Sequence, residues 1–193
     1  MGEGDVAGVD AAKRLQMDRL LAEARGFGLQ LAEVNDVKPW GGYLRFTQQS
    51  LGPFLTAYWL DVKLDLPPGK ASVDPKILLV APGKMLSLQW HERRGEIWRV
   101  LDGPVRITLG DDWDGLKDAS SHRDYATGEV VVIPAGKWHR LIGLEGWGRV
   151  AEIWRHEDSA HPSEEKDIHR EHDLYDRADS AAQAKWEGVY PFE

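Results

Sequence analysis

The chain has no cysteine. Disulfides, zinc ribbons and thiol nucleophiles are therefore excluded, and the lack of thiols fits a reducing cytoplasm. It has no clustered run of Lys and Arg, and its formal net charge is −8. Binding along a nucleic-acid backbone needs such clusters to displace counterions, so no nucleic-acid partner is expected. Its apolar stretches are of strand length, too short for a membrane span. The N-terminal MGEGDVAGVD lacks a basic region followed by an apolar core, so no secretory signal is expected and a cytoplasmic location is. The one residue type in clear excess is tryptophan, with nine copies. Such rings fill cores and also wall carbohydrate pockets.

The 193 residues suit one compact domain with short extensions. Met17, Leu20, Leu21 and Ala24 follow helical spacing and predict a helix over 10–25, capped by Asp10 and ended by Gly26 and Gly28. It would pack on the outside of the domain or on a partner chain. From residue 54 the pattern turns to period two. Leu60, Val62, Leu64 and Leu66 alternate with Asp61, Lys63 and Asp65, which predicts a half-buried strand. Strands are expected at 85–91, 97–101, 105–109, 129–133 and 149–155, separated by turn signals at Asp102-Gly103-Pro104 and Pro134-Ala135-Gly136 and by a polar loop at 110–126. Many short strands with almost no helix between them argue for an all-β sandwich or barrel. The stretch 156–185 is rich in charge and His, and is expected to wrap the barrel as loops and short helix. Its His156, His161, His169 and His172 match no tight ligand spacing and read as a solvated polar tail.

Two segments carry chemistry: GKMLSLQWHERRGEIWRVLDG at 83–103 and GEVVVIPAGKWH at 128–139. Gln89 and His91 stand two apart on a strand and so share a face. Glu96 follows across a short connection, and His139 follows a Pro-x-Gly turn. Singly, each is an ordinary polar residue. Their joint spacing lets four oxygen and nitrogen donors converge inside a barrel, a mixed set that suits zinc, iron, manganese, cobalt or nickel.

These segments resemble the paired motifs of the cupin superfamily. Gly83 is followed by five residues and Gln89, then His91, four residues, Glu96, six residues and Gly103; Gly128 is followed by five residues, Pro134, Gly136 and His139. Gln89 stands at the first His position of the family pattern, and Gly143 stands where the pattern ends in Asn. A Gln-x-His pair is the variant of phosphomannose isomerases, and further segments are similar to the C-terminal isomerase domain of the type II family. Lys38-Pro39-Trp40-Gly41 resembles its RPWG, PGKMLSLQ at 82–89 its PGKRLSLQ, and IPAGKWHRL at 133–141 its IPxGxxHRL. Glu152 falls on the Glu of its IEVQ strand. DIHREHDLYDR at 167–177 is in register with DIVRFEDRYGR, aligning Ile168, Arg170, Asp173, Tyr175 and Arg177. Glu92, Arg93 and Ile97 replace three His of the family's QxHHHRAEHW. Residues 1–36 hold no Gly-rich nucleotide loop, so guanylyltransferase activity is not expected.

The resemblance covers roughly 37–178. It implies a double-stranded β-helix, or jelly-roll barrel, over those residues, with a helical leader at 1–36 and an irregular C-terminal tail at 179–193. It implies one divalent metal, zinc first, held by Gln89, His91, Glu96 and His139. The implied activity is metal-dependent aldose–ketose isomerisation of a sugar phosphate, mannose 6-phosphate to fructose 6-phosphate. Glu152 and Arg170 would be catalytic, and Trp98, Lys84, Arg140 and Arg177 would bind substrate. A non-catalytic sugar-binding cupin, or another cupin enzyme acting on a free sugar, is the alternative. A homodimer is a further expectation, with the N-terminal helix available to the interface.

Overall fold

A computed structural model describes residues 3–64, 75–158 and 160–175, with side chains from residue 11 onward. Helix α1 (Glu3–Gly26) is followed by β1 (Leu31–Asn35), β2 (Gly41–Phe46), α2 (Leu51–Tyr58) and β3 (Pro75–Val80). Then come β4 (Leu88–Trp90), β5 (Arg94–Asp102), β6 (Val105–Gly110), β7 (His122–Tyr125), β8 (Val130–Ile133), β9 (Trp138–Gly143), β10 (Gly148–His156) and β11 (His169–His172). Two antiparallel sheets form, ordered β1-β2-β3-β10-β5-β8 and β11-β4-β9-β6-β7. They face each other as an all-β cupin jelly roll. No helix among the described residues is long and apolar enough to cross a membrane.

The larger sheet is covered on both faces, which explains why β3 reads as PKILLV with every residue buried instead of alternating. Leu78 and Val80 point into the barrel with Trp98, Val100, Val105, Ile107, Leu141 and Val150. Ile77 and Leu79 point outward into a second cluster with Met17, Leu20 and Ala24 of α1 and Phe54 and Tyr58 of α2. The helical stripe in the sequence therefore packs on its own domain. Tyr58 Oη donates to Glu23 at 2.8 Å, and Arg149 pairs with the other Glu23 oxygen at 2.7 Å, fixing α1 on the sheet.

Four sequence expectations need correction. The first helix begins at Glu3, not at an Asp10 cap. Leu60 to Leu64 form no strand: the chain leaves α2 in a turn, with Val62 N–H donating to Trp59 O at 2.9 Å, and Leu60 is exposed. Val62 and Leu64 still pack against the outer cluster, so the alternation reports one-sided burial without a ladder; Leu66 lies outside the described residues. The polar loop 110–126 ends in strand β7. The His-rich stretch is no solvated tail, since His156 and His172 are buried and β11 pairs with β4.

Two glycines shape the rims. Gly136 has φ +76° and closes the turn that delivers β9, its N–H bonded to His91 O at 2.7 Å. At Gly143 a Cβ would lie 2.2 Å from Ala81 O, so the Asn of the family pattern has no room here.

Candidate metal centre and cavity

The site is built on facing strands of the two sheets. Glu96 comes from β5, which antiparallel pairing sets beside Trp154 of β10 and Ile133 of β8. Gln89 of β4 stands directly opposite His139 of β9, so their side chains share a face. His91 follows β4 in the turn leading to β5. Ligand atoms of His91, Glu96 and His139 all lie within 4.8 Å of one another, and the three residues are buried. His91 Nε2 is 3.0 Å from one Glu96 oxygen and His139 Nε2 is 3.4 Å from the other.

The outer nitrogens fix how these rings face. His91 Nδ1 bonds to Asp167 O at 2.5 Å and His139 Nδ1 to Lys137 O at 2.9 Å. A carbonyl only accepts, so both Nδ1 atoms carry the proton and a neutral ring presents an Nε2 lone pair to the centre. Burial pushes the His91 imidazole below its ordinary value despite Glu96, which favours that neutral form. Burial would raise the Glu96 carboxyl, yet the His91 and His139 rings, whenever protonated, hold it well below the usual carboxylate range. Two lone pairs thus converge on a carboxylate. Among the described residues, buried His139 Nε2 has no hydrogen-bond partner. A divalent cation satisfies all three groups at once, so the residues present fit a metal. Backbone carbonyls holding the outer His nitrogens are the usual support of such ligands.

Gln89 is half-buried, and its Oε1 accepts from Ser87 Oγ at 2.8 Å. It lines a cavity of about 110 Å³ together with Glu96, Glu152, Arg94, Lys76, Lys38 and Arg170 among others. Glu152 is 4% exposed, accepts Trp154 Nε1–H at 2.6 Å and lies 4.0 Å from Lys76 Nζ. Burial and the nearby Glu96 charge raise its carboxyl to about 7, against the pull of Lys76, Arg94 and the Trp154 N–H. Trp98 shares the Glu96 face, as its spacing predicts. It is fully buried, donates to Glu96 at 3.0 Å and sits edge-on to His139, beneath the cavity instead of along its wall.

Arg140 does not reach the cavity. It is buried, with Nη2 donating to His172 Nδ1 at 2.6 Å and His172 O at 3.0 Å, and it ties β9 to β11. Burial and the Arg140 charge hold His172 neutral. Lys84 is exposed on the turn before β4 and is not among the cavity-lining residues. Arg177 lies outside the described residues.

Sequence reasoning passed over three residues. Arg94 is 3% exposed and stacks 3.7 Å from the Trp154 ring; its Nε donates to Glu96 at 3.3 Å. Its signal was present in the RRGE run between two motif residues. Lys76 is the lone charge in an apolar strand, and it is buried. Asp167 opens the DIHREHDLYDR segment, and its carboxylate accepts Glu92 N–H at 2.9 Å, Arg93 N–H at 3.0 Å and Ser163 Oγ–H at 2.6 Å.

Residues 76–146 match the cupin domain family, a match that spans both motif segments. Over 36 residues, 19% of this chain, the sequence is 50% identical to mannose-1-phosphate guanylyltransferase 2 of Escherichia coli; the match spans 8% of that protein. Among solved structures, a variant of Bacillus subtilis oxalate decarboxylase is similar over 73% of this chain and 31% of its own, with 15% identity and a TM-score of 0.50. Another structure of that enzyme gives 16% identity over 73% and 31%, with a TM-score of 0.49. Identities this low speak to the fold, and the chain spans about a third of the decarboxylase's length.

Proposed function

We propose that the protein is a metal-dependent aldose–ketose isomerase acting on a sugar phosphate, mannose 6-phosphate to fructose 6-phosphate. The observation that carries this reading is the placement of Glu152. A buried carboxyl raised toward neutrality lines the same cavity as Gln89 and Glu96, two of the four donors, and its walls carry Lys38, Lys76, Arg94 and Arg170. The 36-residue likeness to a mannose-1-phosphate enzyme supports a sugar substrate.

Gln89, His91, Glu96 and His139 would hold the ion, and their mixed donor set suits zinc, with iron, manganese, cobalt or nickel as alternatives. When bound, the ion supplies Lewis-acid stabilisation of an oxyanion on the sugar. The remaining work falls to side chains. Glu152 takes the proton from C2 of the open-chain aldose, leaving an enediolate with its charge on O1; the O2 hydroxyl proton passes to O1, and Glu152 returns its proton to C1 to give the ketose. A carboxyl near pH 7 suits both directions of that transfer. Arg94 adds a fixed positive charge beside Glu96, and Arg170 lends a guanidinium to the anionic substrate.

The test is ketose formation from mannose 6-phosphate by metal-quantified protein, with and without EDTA. Chelator-sensitive turnover that falls at least ~10²-fold in Glu152→Gln supports the assignment. Absence of turnover with each of the five metals restored removes it.

A further inference from the structure

At the cavity mouth Lys76 has two carboxylate neighbours. Its Nζ is 4.0 Å from Glu152 and 2.7 Å from Glu165 Oε1. The two acids differ in kind. Glu152 is buried behind the lysine, whereas the Glu165 side chain is 49% exposed and belongs to the loop between β10 and β11. The same Glu165 oxygen lies 3.8 Å from Arg45 Nε, which donates to Glu33 Oε2 at 3.4 Å. Lys76 itself cannot wander: its ammonium sits over the Trp154 ring at 4.1 Å and near the Tyr43 ring at 5.6 Å. A confined cation in an aromatic wall is thus neutralised by a carboxylate reaching in from the surface.

We propose that Lys76 and Arg45 form an anion subsite for the phosphate monoester of the substrate, and that Glu165 is the internal stand-in which the phosphate displaces. This rests on the sugar-phosphate reading above. Three observations support it. Arg45, Lys76 and Glu152 are register partners in one row across β2, β3 and β10. Glu96 lies on β5, beyond β10, so β3 stands two strand spacings from it, roughly 10 Å. An open-chain hexose phosphate with its reacting carbons between Glu96 and Glu152 extends along that row and ends at Lys76.

The second observation is how the loop is held. Arg94 Nη1 donates to Ser163 Oγ at 2.9 Å and to Glu164 O at 2.9 Å, and the Asp167 carboxylate accepts the Glu92 and Arg93 N–H groups. The main chain is pinned on both sides of Glu165, so release requires only a side-chain rotation. The third is energetic. An ion pair with a half-exposed partner is weakly held, and a dianion with several oxygens meets Lys76 and the Arg45 guanidinium better than one carboxylate does.

The experiment is calorimetric titration of the zinc-loaded full chain with inorganic phosphate and, separately, with acetate. Wild type, Glu165→Gln, Lys76→Met and the double variant are compared. Glu165→Gln should bind phosphate about 2- to 5-fold more tightly, the gain expected when a weak internal competitor is removed. Lys76→Met should bind it at least about tenfold more weakly, and the double variant should show no gain. Glu165 is half-exposed, so its variant tests the idea even if Lys76→Met fails to fold. An unchanged phosphate Kd in Glu165→Gln, or a gain that survives in the double variant, overturns the proposal. An equal gain for acetate overturns its phosphate assignment. Failure of the isomerase assay with the phosphate gain intact rejects the reaction and keeps the subsite. Turnover of mannose 6-phosphate with no Glu165→Gln effect on phosphate Kd or KM does the reverse.

Discussion

Replacing Asp167 by Ala removes the clamp that shapes the turn between β4 and β5. Its two carboxylate oxygens accept from Glu92 N–H, Arg93 N–H and Ser163 Oγ–H, and its own carbonyl accepts from His91 Nδ1 and from Arg94 Nη1 at 3.1 Å. Each hydrogen bond to a charged group contributes roughly 1.5–3 kcal/mol. Glu92 and Arg93 lie near the surface, where water replaces part of what is lost, so Asp167→Ala should destabilise the metal-free protein by about 2–4 kcal/mol at pH 7. The pH dependence separates this from generic damage. Burial would raise the Asp167 carboxyl, but the Ser163, Glu92 and Arg93 donors outweigh it and hold the group below its ordinary value. A depressed folded-state value means the stabilisation is complete above the unfolded-state value and is lost as pH falls through the folded one. The gap between wild type and variant should therefore narrow in acid. With its supporting peptide displaced, His91 should hold zinc about 10- to 100-fold less tightly. Urea unfolding at pH 7 and in acid, with chelator competition for zinc, reads all three quantities. Identical urea midpoints and zinc affinities would refute the clamp.

Other expectations follow from the same geometry. His139→Ala should abolish the rise in melting temperature that zinc gives the wild type, measured by calorimetry with and without the ion. Glu152 is raised in the folded state to about 7, so the metal-free protein loses stability as pH climbs from the unfolded carboxyl range to 7. Glu152→Gln removes that slope and should be more stable than wild type well above pH 7 by on the order of 3 kcal/mol, with no advantage below pH 4; a parallel slope in urea titrations of both would contradict it. Gly143→Asn introduces the Asn of the cupin motif that the sequence resembles but drives a Cβ into Ala81 O, and should cost at least ~2 kcal/mol by urea unfolding.

The gathering of His91, Glu96 and His139 was legible because the spacing around β4 and a Pro-x-Gly turn before β9 are local signals, and local signals survive in a single sequence. Trp98 was placed on the correct face for the same reason, although pairing alone could not say that it would lie beneath the cavity. What escaped depends on contacts far apart in the chain. Arg140 sits in a motif beside His139, yet alternation sends it to the opposite face of β9, where His172 receives it. Lys76 and Glu152 meet only because β3 and β10 pair across a long separation, and no spacing rule links residues 76, 152 and 165. The strand expected at 60–66 is not formed over the described residues 60–64, because alternation records one-sided burial and a strand also needs a neighbour with open hydrogen-bonding groups.

Glu92, Arg93 and Ile97 stand where the phosphomannose isomerases that the sequence resembles carry His, and their placement bears on the polarity of the cavity. Glu92 is exposed, and Arg93 turns outward to Pro162 O at 3.1 Å and to Glu164 at 3.4 Å. Ile97 lies between Glu96 and Trp98 on the strand, so it points away from both and into the outer cluster that α1 and α2 cover. None of the three is among the cavity-lining residues. A residue at 97 must therefore suit the helices, and an imidazole there would be stripped of water with apolar neighbours only. Ile97→His should destabilise the fold by about 2–4 kcal/mol, combining lost apolar packing with a buried polar ring. Because β5 keeps its register, zinc affinity at pH 7 should change less than about threefold, well short of the loss expected for a perturbed ligand support. Urea unfolding and chelator competition on one preparation measure both. A large fall in zinc affinity with stability intact would show that position 97 communicates with the metal donors, and that the outer face and the site are not separate as the alternation of β5 requires.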